Sequence, residues 1–390
     1  MSKNNENKLV PKLRFPDFVN DGEWKEKIFS QLFEFGNGKD YKHLSTGNIP
    51  VYGTGGKMLS VNEYLYDGES VCIGRKGTID KPMFLTGKFW TVDTLFYTHS
   101  FVNCIPKFIY YVFLNVNWYD YNEAGGVPSL SKTTISKIQV PIPPLIEEQQ
   151  KIAACLSSLD EVITAESQKL NILQDHKKGL LQNLFPQEGE TVPKLRFKEF
   201  ENSGEWEETT LTQIVDYENG KAHEQDIVDD GDYIVVNSKF ISSDGDVKKF
   251  TNIAFCPAQK GDILMVLSDV PNGKAIAKCF WVEEDNRYTV NQRICKITPH
   301  NLDSKILYYL LNRNPYFLAF DDGVKQTNLR KEDVLNCPLL IPSDPKEQEK
   351  IASCLSSIDE LINAQNQKLE TLKLHKKGLL QGLFPGVNEI

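Results

Sequence analysis

The chain has 390 residues, 40% hydrophobic and 25% charged, the balance of a soluble globular protein with room for two or three separate cores. No apolar run reaches the length of a membrane span, and the start MSKNNENK lacks a signal-peptide core; eight cysteines without a CxxC pair or zinc spacing fit a reducing cytoplasm. The net charge of −9 weighs against nucleic acid as a whole-molecule sum, yet residues 39–141 hold ten Lys/Arg against eight Asp/Glu, and binding answers to local patches.

Taken in order, the chain repeats itself. Val10-Pro-Lys-Leu-Arg-Phe15 returns as Val192-Pro-Lys-Leu-Arg-Phe197, Gly22-Glu23-Trp24 as Gly204-Glu205-Trp206, and Asn37-Gly38-Lys39 as Asn219-Gly220-Lys221, all at a shift of 182. Strand-like runs follow: Ser70-Val-Cys-Ile-Gly74 pairs by sequence with Ile263-Leu-Met-Val-Leu267, and Thr91-Val92-Asp93 with Thr289-Val290-Asn291. A short helix over 108–114 matches one over 306–311, and Leu130-Ser-Lys132 matches Leu329-Arg-Lys331. Ile142-Pro143-Pro144 then breaks the chain ahead of a helix.

Residues 145–184 read as one helix of roughly 60 Å. Ile152, Leu156, Leu159, Ile163, Leu170, Leu173, Leu180 and Leu184 follow a 4-3 rhythm, interrupted at Glu166 and Lys177, so one seam faces a partner helix. Residues 344–383 repeat the rhythm at a shift of 199, with Gln365 and Lys376 at the same two breaks. The 17-residue difference between the shifts is length gained inside the second globular segment. That segment joins the end of the first helix, through a Pro-Gly-acidic linker over 186–190, to the start of the second. Chain order therefore favours antiparallel pairing within one molecule over dimerisation between molecules. The expected fold is α+β: two mixed α/β domains separated by a long antiparallel two-helix coiled coil, a pseudo-twofold tandem duplication. Its expected parts are a first domain over 1–144, helices over 145–185 and 344–385, a second domain over 186–343, and a tail over 386–390.

Catalytic signatures fail one by one. Gly53-Thr-Gly-Gly-Lys57 resembles a phosphate loop, but Val51 and Met58 stand where a Walker A needs Gly and Ser/Thr. Asp17, Glu23 and Lys25 resemble a nuclease triad, but the second copy has Glu199, Glu205 and Glu207 and loses the lysine. The six histidines form no metal spacing, and no catalytic or metal site is expected.

What remains is a binding surface. Gly74-Arg75-Lys76-Gly77-Thr78 sets two cations between glycines, suited to clamping phosphate or reading guanine. Lys39, Tyr41, Lys42, His43, Tyr52 and Lys57 lie upstream, and Ser129, Ser131, Lys132 and Thr133 form a hydroxyl-rich loop suited to backbone contacts. The second half offers Lys221, Asn237, Ser238, Lys239, Asn272, Lys274, Lys325, Gln326, Asn328 and Arg330, with amides suited to adenine edges. Arg75 and Lys76 lead the first set, Lys274 and Arg330 the second.

In the order of these motifs, twice over, the chain resembles the DNA-specificity subunit of type I restriction–modification systems along nearly its whole length. The matching residues are both Pro-Lys-Leu-Arg-Phe and Gly-Glu-Trp copies, Ile73-Gly-Arg-Lys-Gly-Thr78 with Val92-Asp93-Thr94, and Pro143-Pro144-Leu145. They continue with Glu148-Gln149, Glu347-Gln348, and Lys-Lys-Gly-Leu-Leu-Gln over 177–182 and 376–381. Ser343-Asp344-Pro345 departs from the Pro-Pro-Leu lead-in. The resemblance implies two target-recognition domains, each reading half of a bipartite site in double-stranded DNA, with the paired helices as a ruler. It further implies two methyltransferase subunits docked on the helices and motor–nuclease subunits joining them. S-adenosylmethionine would sit on the former, ATP and Mg²⁺ on the latter, and no cofactor on this chain. The competing reading is an adaptor whose two heads hold proteins and not DNA.

Overall fold

The computed structural model describes residues 9–271 and 273–386. It divides into two compact units, residues up to 169 with those from 366 onward, and residues 170–365. Each unit holds one mixed α/β head, the near half of one long helix and the far half of the other.

The heads share a strand plan. In the first, Glu34–Asn37, Leu95–His99, Ser70–Gly74 and Met83–Leu85 form one antiparallel sheet, and Gly56–Val61, Thr46–Gly53, Lys88–Thr91 and Tyr66–Asp67 form another. The second sheet contains a parallel pair, Val51 opposite Trp90. In the second head, Val215–Asn219, Ile294–Pro299, Ile263–Val266 and Cys279–Trp281 keep the first order. Phe250–Thr251, Tyr233–Val236, Tyr288–Val290 and Pro257–Ala258 keep the other, with Val235 parallel to Thr289. The Ser70–Gly74 and Ile263–Val266 strands are buried throughout, as central strands with both faces covered must be. Helices Pro106–Asn115 and Ser304–Leu311 pack on the first sheet through Phe108, Ile109, Val112 and Phe113, and through Leu307 and Leu311.

Hydrogen bonds correct the sequence pairing of two strands by one residue. Gly74 stands opposite Leu95 and Val266 opposite Ile294, so Gly74 corresponds to Val266 and not to Leu267. Val92 N–H donates to the Tyr52 carbonyl at 3.0 Å and Asn291 N–H to that of Val236 at 3.0 Å, so Val92 corresponds to Asn291. Side-chain similarity slips by one here because both faces of these strands are apolar and alternation cannot set the register.

The long helices run Ile146–Leu184 and Pro345–Leu383, 39 residues each. The second starts in register although Ser343-Asp344 stands where the first has Pro144-Leu145, because the Asp344 carboxylate accepts the Lys346 N–H at 2.9 Å and its carbonyl those of Glu347 and Gln348. Three of the repeated motifs meet at each helix start. Arg14 forks onto Glu148 at 2.8 and 2.9 Å and donates to the Gly22 carbonyl at 2.6 Å, while the Trp24 indole donates to the same carboxylate at 3.2 Å. Arg196 forks onto Glu347 at 2.7 Å twice and reaches the Gly204 carbonyl at 2.5 Å. The neighbouring glutamines staple loops: Gln149 binds the Ile105 N–H and the Asn103 and Pro143 carbonyls, and Gln348 the Asp303 N–H and the Pro342 carbonyl.

The far end of the other helix docks beside each of these clamps. In the first unit Leu13 N–H donates to the Gly382 carbonyl at 2.8 Å, and Phe384 packs on Trp24 and Phe108 at 5.9 and 5.5 Å. In the second, Leu195 N–H donates to the Asn183 carbonyl at 2.8 Å and Phe185 packs edge-on against Trp206 at 5.9 Å. Within each unit the helices are therefore antiparallel, with Ile152 and Leu156 sharing a core with Leu379 and Leu383, and Ile351 and Leu355 with Leu180 and Leu184.

The polar breaks in the seam have a use. Lys376 pairs with Asp160 at 2.5 Å, and Tyr111 of the head helix donates to that aspartate at 2.8 Å. Lys177 pairs with Asp359 at 2.5 Å, and Tyr309 donates to it at 2.7 Å. Glu166 takes Lys368. Each tyrosine–aspartate–lysine set ties one head to both helices and marks their alignment, since a shifted register would leave half-buried charges without their partners.

Glu148→Gln should lower the stability of the first unit by about 3 kcal/mol, because it leaves the Arg14 guanidinium, 5% exposed, without its counter-charge. Tyr111→Phe should cost only about 1 kcal/mol, as Lys376 still holds Asp160. Denaturant unfolding of both variants, followed by fluorescence, checks the order.

Candidate nucleic-acid interface

In the first head the strand ends and loops along one edge are joined by backbone bonds. Arg75 N–H donates to the Thr94 carbonyl at 2.8 Å, Leu130 N–H to the Arg75 carbonyl at 2.8 Å, and Lys39 N–H to the Thr91 carbonyl at 2.8 Å. Lys76 bridges Ser129, and Gly77 N–H donates to the Pro128 carbonyl at 2.9 Å. Glycine is required at position 74, where a Cβ would collide with the Thr78 carbonyl and press on Thr54 at 3.2 Å. The result is an open cleft of about 580 Å³ lined by Arg75, Lys76, Asp93, Thr94 and Ser129 among others. Arg75 and Lys76 are exposed, and the Arg75 guanidinium lies 5.9 Å from the centre of the Phe96 ring.

The structure thus gathers Lys39, Arg75, Lys76, Thr78 and Ser129, and adds Thr54 together with Asp93 and Thr94 of the Val92-Asp93-Thr94 motif, which come close through strand pairing. The other predicted residues of this head serve differently. Tyr41 packs against a core of Val51, Val61, Trp90 and Val92, and Tyr52 against Cys72, Leu85, Phe89 and Leu95. His43 stands edge-on to Trp90 at 6.0 Å, while Lys42 and Lys57 are exposed. Ser131 caps the short helix Lys132–Ile135, accepting the Thr134 N–H at 3.2 Å and donating to Glu123 at 2.7 Å. That carboxylate, bonded by Thr134 and Ser131, is held below the usual carboxylate range. The segment read as a hydroxyl-rich loop is therefore partly a capped helix, on which Lys132 and Thr133 are exposed.

The second head keeps the same backbone bonds: Lys221 N–H to Val290, Leu267 N–H to Arg293 and Leu329 N–H to Leu267, at 2.9, 3.0 and 2.8 Å. Lys221 thus corresponds to Lys39, Leu267 to Arg75, Ser268 to Lys76, Arg293 to Thr94 and Asn328 to Ser129. Ser268 pairs with Asn328, and Gln326 donates to the Ser268 hydroxyl at 2.6 Å. Asn237, followed by Ser238 and the exposed Lys239, caps the helix Ser238–Ser242 by accepting the Phe240 N–H at 2.9 Å. His223, buried, lies against the Lys221 carbonyl at 2.7 Å and the Thr289 hydroxyl at 3.0 Å. Lys274 sits on a loop closed by Asp269, whose carboxylate accepts the N–H groups of Val270, Ala275 and Ile276 at 2.9, 2.6 and 3.1 Å. Lys325 and Arg330 are exposed, the latter preceding the short helix Lys331–Leu335. Asn272 lies outside the described residues.

The buried cysteines behave as packing groups: burial pushes the thiols of Cys72 and Cys295 up to about 12 and those of Cys104 and Cys256 to about 11. Among the described residues no three His, Cys, Asp or Glu side chains converge as a metal site, and no helix is long and apolar enough to cross a membrane.

Residues 21–175 and 203–374 match the family model of the type I restriction modification DNA specificity domain. The chain is 26% identical over 362 residues to the MjaVIII specificity subunit of a type I restriction enzyme from Methanocaldococcus jannaschii, covering 85% of this chain and 80% of that protein. In fold it is similar to the S subunit of a type I restriction–modification system from M. genitalium, with a TM-score of 0.69 at 15% identity over 96% of this chain and 99% of the other. A structure from work on the assembly and conformational transition of a type I system gives a TM-score of 0.51, also at 15% identity, over 94% and 98% of the two chains.

Asp269→Ala should release the loop that carries Lys274. Amide exchange at Val270, Ala275 and Ile276 is expected to speed up, with exchange in the Ile263–Val266 strand unchanged, as measured by hydrogen–deuterium exchange.

Proposed function

This chain belongs to the type I restriction–modification DNA specificity family, and from that premise we propose that its two heads read the two halves of a split DNA target. It is the non-catalytic subunit that determines target recognition within the complex. The observation that carries the two-target reading is one backbone edge built twice with different side chains. Arg75, Lys76 and Thr94 in the first head face Leu267, Ser268 and Arg293 at the same places in the second. A scaffold kept with its contact groups changed suits two heads reading unlike sequences.

In this reading Lys39, Lys42, Lys57, Lys76, Lys132, Lys221, Lys239, Lys274, Lys325 and Arg330 supply charge for phosphate, and Arg75 reads guanine. Asn237, Gln326, Asn328 and the hydroxyls beside them supply base contacts. The domains divide near 144, 185, 343 and 385, and the two helices, each about 58 Å long by rise per residue, set the unread gap. Two methyltransferase subunits holding S-adenosylmethionine dock on the helices and flip an adenine out of each half-site. Motor–nuclease subunits bring ATP and Mg²⁺, and the complex works in the cytoplasm on double-stranded DNA.

Expression of this chain with the methyltransferase of a neighbouring gene, followed by methylome sequencing, should give one split motif methylated at adenine in each half. A protein adaptor would leave no sequence-selective mark. Arg75→Ala should abolish methylation while the complex still assembles by size-exclusion chromatography; unchanged methylation would remove Arg75 from the site.

A further inference from the structure

We propose that Arg293 is the base-reading arginine of the second head, taking the place that Arg75 holds in the first. This rests on the DNA-reading function above and names a residue that no motif marks. In the first head, Arg75 N–H donates to the Thr94 carbonyl; in the second, Leu267 N–H donates to that of Arg293. The two heads thus carry one arginine each at this paired position, on opposite members of the pair. Leu267 is 8% exposed and has joined the core, so the strand that presents a cation in the first head presents none in the second. The guanidinium stands instead on the neighbouring segment, at the start of the strand Ile294–Pro299.

Three further observations favour Arg293 as a reader. It is exposed, and among the described residues no ion pair or side-chain hydrogen bond engages it. Of the other arginines of the same unit, Arg196, Arg287 and Arg313 are engaged with Glu347, Glu284 and the Ile276 carbonyl, and Arg330 stands outside this paired position, ahead of the short helix Lys331–Leu335. Its backbone is fixed on both sides, by the Leu267 bond at 3.0 Å and by Ile294 N–H to Asn291 at 2.9 Å, with Ile294 fully buried. A fork on such a platform needs no ordering of its backbone on binding, whereas Lys274 is a point charge on a loop. Gln292 follows Asn291 and precedes Arg293, and Gln326 and Asn328 gather at Ser268 beside Leu267. A guanidinium among carboxamides is the set that reads guanine and adenine edges in the major groove.

The test uses the assembled complex of the full chain with its methyltransferase subunits, on the duplex found from the wild-type methylome. Every base pair of both half-sites is substituted in turn. Arg293→Ala should weaken cognate binding on the order of ten- to hundredfold and flatten discrimination at one G·C pair in one half-site, leaving the other half-site untouched. Arg293→Lys, which keeps the charge but not the fork, should lose the same discrimination while holding the salt slope. Equal weakening on every sequence with a smaller salt slope would make Arg293 a phosphate contact and overturn the proposal, as would unchanged binding. A wild-type complex that protects no sequence selectively would instead defeat the DNA-reading function itself.

Discussion

The architecture depends on a buried ion pair used twice, Arg14 with Glu148 and Arg196 with Glu347. Both glutamates are 1% exposed, and a desolvated carboxylate is tolerable only when its oxygens are filled. The filling groups come from far apart in sequence: an arginine before the head, a tryptophan indole in the first copy, and a helix start reached after the whole head has been traversed. Closing that set closes the head onto its helix. The copies differ in one detail, since the Trp206 indole N–H is buried without a partner where Trp24 reaches Glu148 at 3.2 Å.

A second constraint acts along the helices. A purely apolar seam would permit sliding by a heptad, because every leucine layer resembles the next. The lysines at 177 and 376 remove that freedom, each meeting an aspartate that a head tyrosine also holds. Sequence periodicity shows these lysines as breaks in a pattern. In the structure they are the points where head, near helix and far helix join.

At the candidate interface the two heads show how recognition diverges on a constant frame. The backbone bonds among positions 39, 75, 91, 94 and 130 recur at 221, 267, 290, 293 and 329, yet a leucine replaces an arginine and an arginine a threonine. The seventeen extra residues of the second segment fall where they leave these bonds intact. The shift grows from 182 at Lys39 to 192 at Arg75 and 199 at Thr94, so the added length lies in connections between paired strands. Surface connections absorb such length at little cost.

The sequence alone determined the duplication, both long helices, their internal antiparallel order and the family, because these rest on local periodicity and on motifs that keep their spacing. It also marked Arg75 and Lys76, which a glycine-bounded turn exposes. What it did not reach was the pairing of strand ends: the one-residue slip at Gly74, the work of Tyr111 and Tyr309, the capping role of Ser131, and the equivalence of Arg75 with Arg293. Those depend on which carbonyl each N–H meets across a sheet, a long-range choice among registers of similar composition. Only folding decides it, by burying one alignment and leaving the others with unpaired polar groups.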